Sequence, residues 1–496
     1  MSVLVALARA QAAASGFAQP VATVRHVRLH PRPLVFVPLA LAGEAHAPLA
    51  ALVGEDRDAP RLLLVAQPRD RSRRLAFAAE LADIVLPYLD ARRGDVEIIP
   101  VDRGREIRQR YLDAPQLVVP NPAGMEFVRL LGRWLRFRRV DGEHPAPPQV
   151  PRLGCWLTFL ADRAELPGSS LLVALTEALG THWATGQSVV EDAHLASLVA
   201  WIDPPEGRTG AGAAAATEDP SVCPPAGPAT DPDFDRVVLA PLIADHSRAA
   251  TDAARTAVER RLADVLRAQL EPTWQSVWQA LDLLRALPEA ASTSERWAHD
   301  RDAFSDYAAH LDAGGAPQPR HDSAVAAAAR LHRLERAAAA FERQRAYDDP
   351  MVMAEHRLTG EAFAGLVTLA APDRVDDSGR RPVLRPRIMV RSDDPIPPAV
   401  GATLGSPARR AQKARVVSVD GADILLELSG GMGRGLSAPE GSVPAVGERV
   451  VYTTVVDAFA PSATFPPVDQ TPWTHGGPPA PPSEPAAGAL AVGGQG

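Results

Sequence analysis

The sequence predicts a multidomain chain with an N-terminal α/β domain, a central helical region and a C-terminal β-barrel. The α/β domain is expected to hold a mostly parallel sheet with covering helices. The central part reads as a helical bundle or arm, and the barrel as a small one of the OB or SH3-like kind. A Pro/Gly-rich tail, expected to be disordered, ends the chain. Three observations predict this order. Short apolar runs alternate with amphipathic ones between Val21 and Val140, as strand–helix units do. Patterns of helical period, rich in Ala, Leu, Glu and Arg, fill residues 236–347. Beyond Arg357 the apolar period falls to two, the period of strands. The expected divisions are 1–202 for the α/β domain, 203–235 for a flexible linker, 236–350 for the helical region, 351–457 for the barrel and 458–496 for the tail.

In the first division, residues 33–41, 62–66, 96–101 and 116–119 read as buried strands, and 74–89, 103–113 and 122–137 as helices. Asn121 is placed to cap the last of these, with Pro122 at its first position, where the missing N–H costs nothing. Residues 153–202 read as helical, and Ser188-Val-Val-Glu191 forms a capping box for a helix through Leu195, Leu198, Val199 and Trp201. Residues 203–235 hold little large apolar surface, which is why they read as a linker. In the helical region Val258, Leu262 and Val265 share a face, as do Trp274, Val277, Trp278, Leu281 and Leu284. Two tryptophans at helical spacing are expected in the core. The barrel strands are expected at 363–369, 383–390, 415–419, 424–428 and 449–455, with Asp420-Gly421 as a hairpin turn. In the tail, Pro472-Trp473 stands out as a docking peptide.

Several chemistries are argued against by counting. Of 52 basic residues only Lys413 is lysine. No Gly-Lys-Ser/Thr occurs, so a P-loop is not expected, and the Ala-Gln-Lys-Ala-Arg context of Lys413 fits no E-x-K nuclease, kinase lysine or S-x-x-K acyltransferase. Cys155 and Cys223 are too far apart for a Cys-x-x-Cys pair, and a reducing cytoplasm is the expected location. Arg9 breaks the apolar N-terminal run and no basic residue precedes it, which argues against a secretory signal. No stretch approaches the roughly 20 apolar residues of a membrane helix. No cofactor or metal is expected. Ser429–Gly435 is glycine-rich but no helix follows it, Asp231-Pro-Asp233-Phe-Asp235 lacks the glycine and later glutamate of a calcium loop, and no G-x-S-x-G occurs. His26 and His30 have no third ligand nearby, and His182, Glu191, Asp192 and His194 match no metal spacing. Cys155, beside Trp156 in an apolar run, reads as a buried small residue.

What remains is electrostatic. The chain carries a net charge of -8, but its first 150 residues hold 21 Arg against 16 Asp plus Glu, a balance of +5 that leaves -13 for the rest. In a parallel sheet the loops after the strands converge on one edge, the edge where ligands bind. Those loops carry Arg69, Arg71, Arg73 and Arg74, then Arg103 and Arg105, then Asn121 at a helix start, a set suited to an anion. Arg129, Arg133 and Arg136 form a stripe along the helix that follows, with Arg138 and Arg139 beyond it. A third basic surface is the barrel strand bearing Arg385, Arg387 and Arg391, with Lys413 nearby, although aromatic platforms for base stacking are nearly missing there.

The expected function is therefore non-enzymatic binding of a nucleic-acid backbone or a phosphorylated ligand, as an accessory subunit to a separate motor subunit of a DNA- or RNA-processing machine. A helical arm bearing a small barrel is similar in architecture to accessory regions of nucleic-acid motor proteins, without a matching motif. The alternatives are a protein scaffold that uses the helical region, barrel and tail, and an enzyme of the α/β domain acting on an anionic substrate.

Overall fold

The computed structural model describes residues 2–43, 47–101, 106–456, 463–467 and 470–471. Its strands in the first part of the chain are β1 (Leu34–Ala40), β2 (Pro48–Gly54), β3 (Arg61–Leu64), β4 (Val96–Val101), β5 (Glu106–Tyr111), β6 (Leu117–Val119) and β7 (Leu172–Ala174). The main sheet runs β3-β2-β1-β6-β7. β1 pairs parallel with β6, and β6 with β7, but β2 is antiparallel to both its neighbours. The sheet is thus mixed, where the sequence suggests a mostly parallel one. The cause is β2, whose Pro-Leu-Ala-Ala-Leu-Val-Gly has neither alternation nor enrichment in β-branched residues, and which returns directly beside β1. β4 and β5 form a separate antiparallel hairpin. The helix expected over 103–113 is therefore a strand in its described part, because Glu-Ile-Arg-Gln-Arg-Tyr alternates and finds a partner in β4.

The helices that matter here are α1 (Val3–Ser15), α2 (Arg71–Asp90), α3 (Pro122–Leu135), α4 (Gln149–Ala164), α5 (Leu195–Ile202), α6 (Asp252–Ala286), α7 (Thr293–Asp312), α8 (Ala324–Asp348) and α9 (Pro350–Thr359). β1 is buried along its whole length, so its two faces serve two cores. Leu34 and Phe36 pack with α2, α3, α4 and α7, whereas Val35, Val37 and Leu39 pack with α5 and α6. The result is three layers, helix on sheet on helix. In place of a separate bundle or arm, α6 lies on the sheet through Leu262, Leu266, Leu270, Trp274 and Val277, all nearly inaccessible. Trp274 and Trp278 are core residues, and the Trp274 indole N–H donates to the Arg57 carbonyl at 2.8 Å. Residues 203–235, expected as a flexible linker, hold a short helix at Gly210–Ala215 and bury Ala213, Ala214 and Ala226. Small side chains there pack closely where large ones are missing, as Ala214 does with Ala12 and Trp201.

The C-terminal region forms a closed six-stranded antiparallel barrel from β8 (Ala362–Ala371), β9 (Arg387–Arg391), β10 (Thr403–Gly405), β11 (Lys413–Asp420), β12 (Asp423–Ser429) and β13 (Arg449–Thr453). Closure follows the order β8-β9-β12-β11-β10-β13. Alternate residues fill its interior, among them Phe363, Ile388, Val390, Val416, Leu426 and Tyr452. Gly421 turns the β11–β12 hairpin at φ +57°, a left-handed conformation that glycine adopts without steric cost. Among the described residues no helix is long and apolar enough to cross a membrane. Pro472-Trp473 and most of 458–496 lie outside the described residues, as do Arg103 and Arg105.

Candidate functional site

Two glycines place the site. α3 and α4 cross where Gly132 meets Thr158 and Gly154 meets Arg136: a Cβ on Gly132 would sit 2.7 Å from the Thr158 nitrogen, and one on Gly154 only 2.2 Å from the Arg136 nitrogen. Only glycine allows that approach, and it sets the C-terminal turn of α3 directly over α4. There Arg133 and Arg136 line a cavity of about 720 Å³, with Thr158, Phe159, Asp162 and Arg163 of α4, Tyr307 of α7, residues 318–322, and Arg330 and Arg333 of α8. A second concavity of about 470 Å³ shares Arg133, Arg136, Arg320 and His321 with it and adds Trp134, Phe137 and Arg138. A third, of about 310 Å³, shares Phe137 and Arg138 with the second and adds Arg71, Arg139, Asp141, Glu143 and His144. Through these shared residues the three adjoin as a trough.

The charges in this trough are unevenly balanced. Arg163 is held by Asp300 at 2.8 Å, Arg330 by Glu165 and by Asp322, and Arg139 by Asp141 at 3.0 Å. Arg71, Arg133, Arg136, Arg138, Arg320 and Arg333 have no carboxylate partner among the described residues. Some of these guanidiniums are fixed without being neutralised. Arg136, 5% exposed, donates through Nε and Nη2 to the carbonyls of Gln318 and Pro319, both at 2.9 Å. Arg138 lies 4.4 Å from the Trp134 ring centre, and Arg136 and Arg320 lie 4.8 and 5.0 Å from that of Phe137. Burial lowers the pKa of Arg138, and the neighbouring charges of Arg71 and Arg74 lower it further. Burial likewise lowers that of Arg136, with the charges of Arg133 and Arg320 adding to it. Asp162 faces the cavity without an ion pair; burial, then the charge of Glu165, raises its pKa. Such a trough supplies oriented N–H donors and net positive charge, the elements that hold phosphates.

The structure divides the residues expected from sequence. Arg71, Arg133 and Arg136 come together in the trough, and Arg74 borders it, 6.0 Å from the Trp134 ring centre. Arg69 is exposed beside them and its carbonyl accepts from Arg74. Arg73 instead pairs with Glu259 at 3.1 Å. Arg129 pairs with Glu165 and Glu126. The three post-strand loops do not all converge, because β4 is not in the main sheet; β3 and β6, both parallel to β1, still lead their loops off the same edge. The edge near Asn121 is also covered. Asn121 is buried, caps α3 by accepting from Gly124 at 3.0 Å, and donates to the Gly227 carbonyl at 2.9 Å, so it acts as a structural cap. Sequence reading did not single out Phe137, Asp162, Arg320, His321 or Arg333; glycines inside two amphipathic helices are the signal that points to the crossing which gathers them.

On the barrel, Leu384, Ile388 and Val390 are buried, so the basic residues of this segment take the outer face. That face is occupied by its own carboxylates: Arg387 and Arg374 both reach Glu427, at 3.0 and 2.9 Å, and Arg391 reaches Asp423 at 2.8 Å. Arg385 donates to the Leu384 carbonyl, and Lys413 is exposed at the start of β11. The histidines disperse: His30 bonds Asp113 at 3.0 Å, His194 contacts the Pro224 carbonyl at 3.3 Å, and His26 and His182 meet in a buried cluster with Asp349. Asp192 pairs with Arg9, and Glu191 completes the capping box of Val189–Asp192. Cys155 is buried and burial pushes its thiol pKa up. No group of three or more metal-ligating residues occurs among the described residues.

Compared with known protein families, with curated proteins and with solved structures, the chain matches none.

Proposed function

We propose that the protein binds the phosphate backbone of a single-stranded nucleic acid along the trough between Arg71 and Arg333. It would do so as a cytoplasmic accessory subunit that positions a strand for a separate motor subunit. The observation that carries this reading is the three adjoining concavities with six guanidiniums that have no carboxylate partner among the described residues. A lone phosphate needs one such concavity; a series of adjoining ones suits a ligand with repeated phosphates. Trp134 and Phe137 supply apolar surface beside the charges, as strand-binding grooves do, although arginines already cover their rings.

The test is fluorescence anisotropy of the full chain with labelled single-stranded DNA, duplex DNA and RNA at two salt concentrations. The expected result is single-strand binding that weakens steeply with salt, and weakens further in an Arg138→Gln/Arg320→Gln variant. No binding at low salt by any of the three overturns the reading.

One observation favours a second reading, a protein partner. The hairpin β4–β5 docks on α7 through its charged face, with Arg110 on Asp302 at 3.4 Å and Arg301 on Glu97 at 2.7 Å. Its apolar face points outward, leaving Ile98 64% and Ile107 71% exposed. Exposed apolar side chains gathered on one sheet face mark protein contact surfaces.

A further inference from the structure

We infer that the 720 Å³ cavity at the α8 end of the trough takes a phosphate monoester, the terminal phosphate of a nucleic-acid strand or of a free nucleotide. The inference rests on the proposed function and names the part of the ligand that the widest point of the site holds.

The donors of this cavity come from three separate elements. Arg133 and Arg136 belong to α3, Arg320 and His321 to the segment before α8, and Arg333 to α8 itself. An internal phosphodiester carries one charge and two free oxygens, and a row of donors on one side satisfies it. A monoester carries a charge of about -1.5 to -2 at neutral pH and three acceptor oxygens. It therefore gains from donors that converge from several sides, and this is the one part of the trough where they do. The second concavity keeps Arg320 and His321 but has no α8 wall, and the third, around Arg138 and Arg71, is lined by the chain just beyond α3 and the start of α2.

Arg136 makes the convergence rigid. Its two bonds to the carbonyls of Gln318 and Pro319 fix the segment that carries Arg320 and His321, so it is a positioning residue. Among the described residues no carboxylate neutralises its charge at the cavity wall, and its Nη1 is buried without a hydrogen-bond partner. The cavity also contains Asp162, a carboxylate with no ion pair among the described residues. Its charge opposes a dianion, and the rise that burial and Glu165 impose on its pKa eases its neutralisation when an anion arrives.

The experiment uses the full chain and one internally labelled oligonucleotide in three forms: with hydroxyls at both ends, with a 5′-phosphate, and with a 3′-phosphate. A nucleoside 5′-monophosphate serves as competitor. We expect one phosphorylated form to bind about tenfold more tightly than the hydroxyl form, as one further charge-assisted contact implies. Arg320→Gln/Arg333→Gln, at exposed positions, is expected to erase this preference while weaker backbone binding persists. Asp162→Asn is expected to enlarge it severalfold. Competition by the mononucleotide identifies a free nucleotide as a source of the monoester, and no competition identifies the strand end; both outcomes support the inference. Equal binding of all three strands overturns it and leaves the proposed function standing, as does a preference that survives the double variant. No binding by any strand overturns the proposed function and this inference with it.

Discussion

The barrel strand β9 and the C-terminal end of α3 are both rich in arginine, yet only one presents free charge. On β9, Arg387 lies directly opposite Glu427 and Arg391 opposite Asp423 in the β12 register, so neutralisation is built into the ladder. At the end of α3 no register operates. Arg133, Arg136 and Arg138 meet Arg320 and Arg333 from chain segments nearly 200 positions away, and among the described residues no carboxylate is paired with them. Arginine count alone does not locate a site; which carboxylates the fold brings within reach decides it.

The largest effect that breaks the comparison is expected at the helix crossing. Gly154→Ala forces apart an approach that a Cβ would close to 2.2 Å from backbone. It should cost about 3 kcal/mol in urea unfolding and abolish strand binding, because the arginines of α3 move together. Barrel packing should be untouched, so the surviving part of the unfolding transition should report the barrel.

A comparable effect lies at the seam between the two regions, where Thr23 and His26 of the N-terminal segment meet Asp349, the cap of α9 that leads into the barrel. Burial there lowers the pKa of His182 to about 4, while its Nε2 accepts from the His26 N–H at 3.2 Å. Between pH 6.5 and 4 the unfolded chain takes up a proton at this histidine and the folded chain does not. Stability is therefore full above pH 6.5 and falls as pH drops through that window, by about 3 kcal/mol. Asp349 adds no slope there. Burial acts to raise its pKa, but the His26 ring 3.5 Å away and hydrogen bonds from Thr23 and Met351 prevail and hold it at about 2, so its contribution fades only below about pH 4. Urea midpoints across this range check the trend, and His182→Gln should flatten it.

A smaller effect sharpens the contrast from the other side. Glu427→Gln releases Arg374 and Arg387 together, and should create weak strand binding at the barrel for about 1 kcal/mol of stability, since these half-buried pairs still lie at the surface, where ion pairs contribute little. Anisotropy of this variant in an Arg133→Gln/Arg320→Gln/Arg333→Gln background isolates that gain.

Local signals were legible in the sequence. Asn121-Pro122 opens α3, Asp420-Gly421 turns its hairpin, and Trp274 and Trp278 are buried as their spacing implies; Ser188 and Glu191 form their capping box, but on the separate turn Val189–Asp192, while His194 caps α5. Elements whose identity depends on a partner were not: β2 has no strand-like composition, and β5 is a strand because β4 lies beside it. The site was half legible for the same reason. Arg71, Arg133 and Arg136 stand out in the first 150 residues, but Arg320, Arg333 and Asp162 join them only through the Gly132–Gly154 crossing. The neutrality of the barrel face likewise follows from a register that only pairing defines.

The most direct test of the central claim, that unpaired guanidiniums at the end of α3 neutralise the phosphates, is the salt dependence of strand binding. The logarithm of the binding constant is measured against that of salt concentration for the wild type, for Arg133→Gln/Arg320→Gln/Arg333→Gln, and for Arg385→Gln/Arg387→Gln/Lys413→Gln. Each phosphate of a single strand that is neutralised on binding adds about 0.7 to the steepness of that plot, so the first variant should be shallower by about 2 and bind on the order of 100-fold more weakly, with the barrel variant unchanged. A wild-type slope in the first variant, with the shallower slope appearing in the barrel variant, would contradict it.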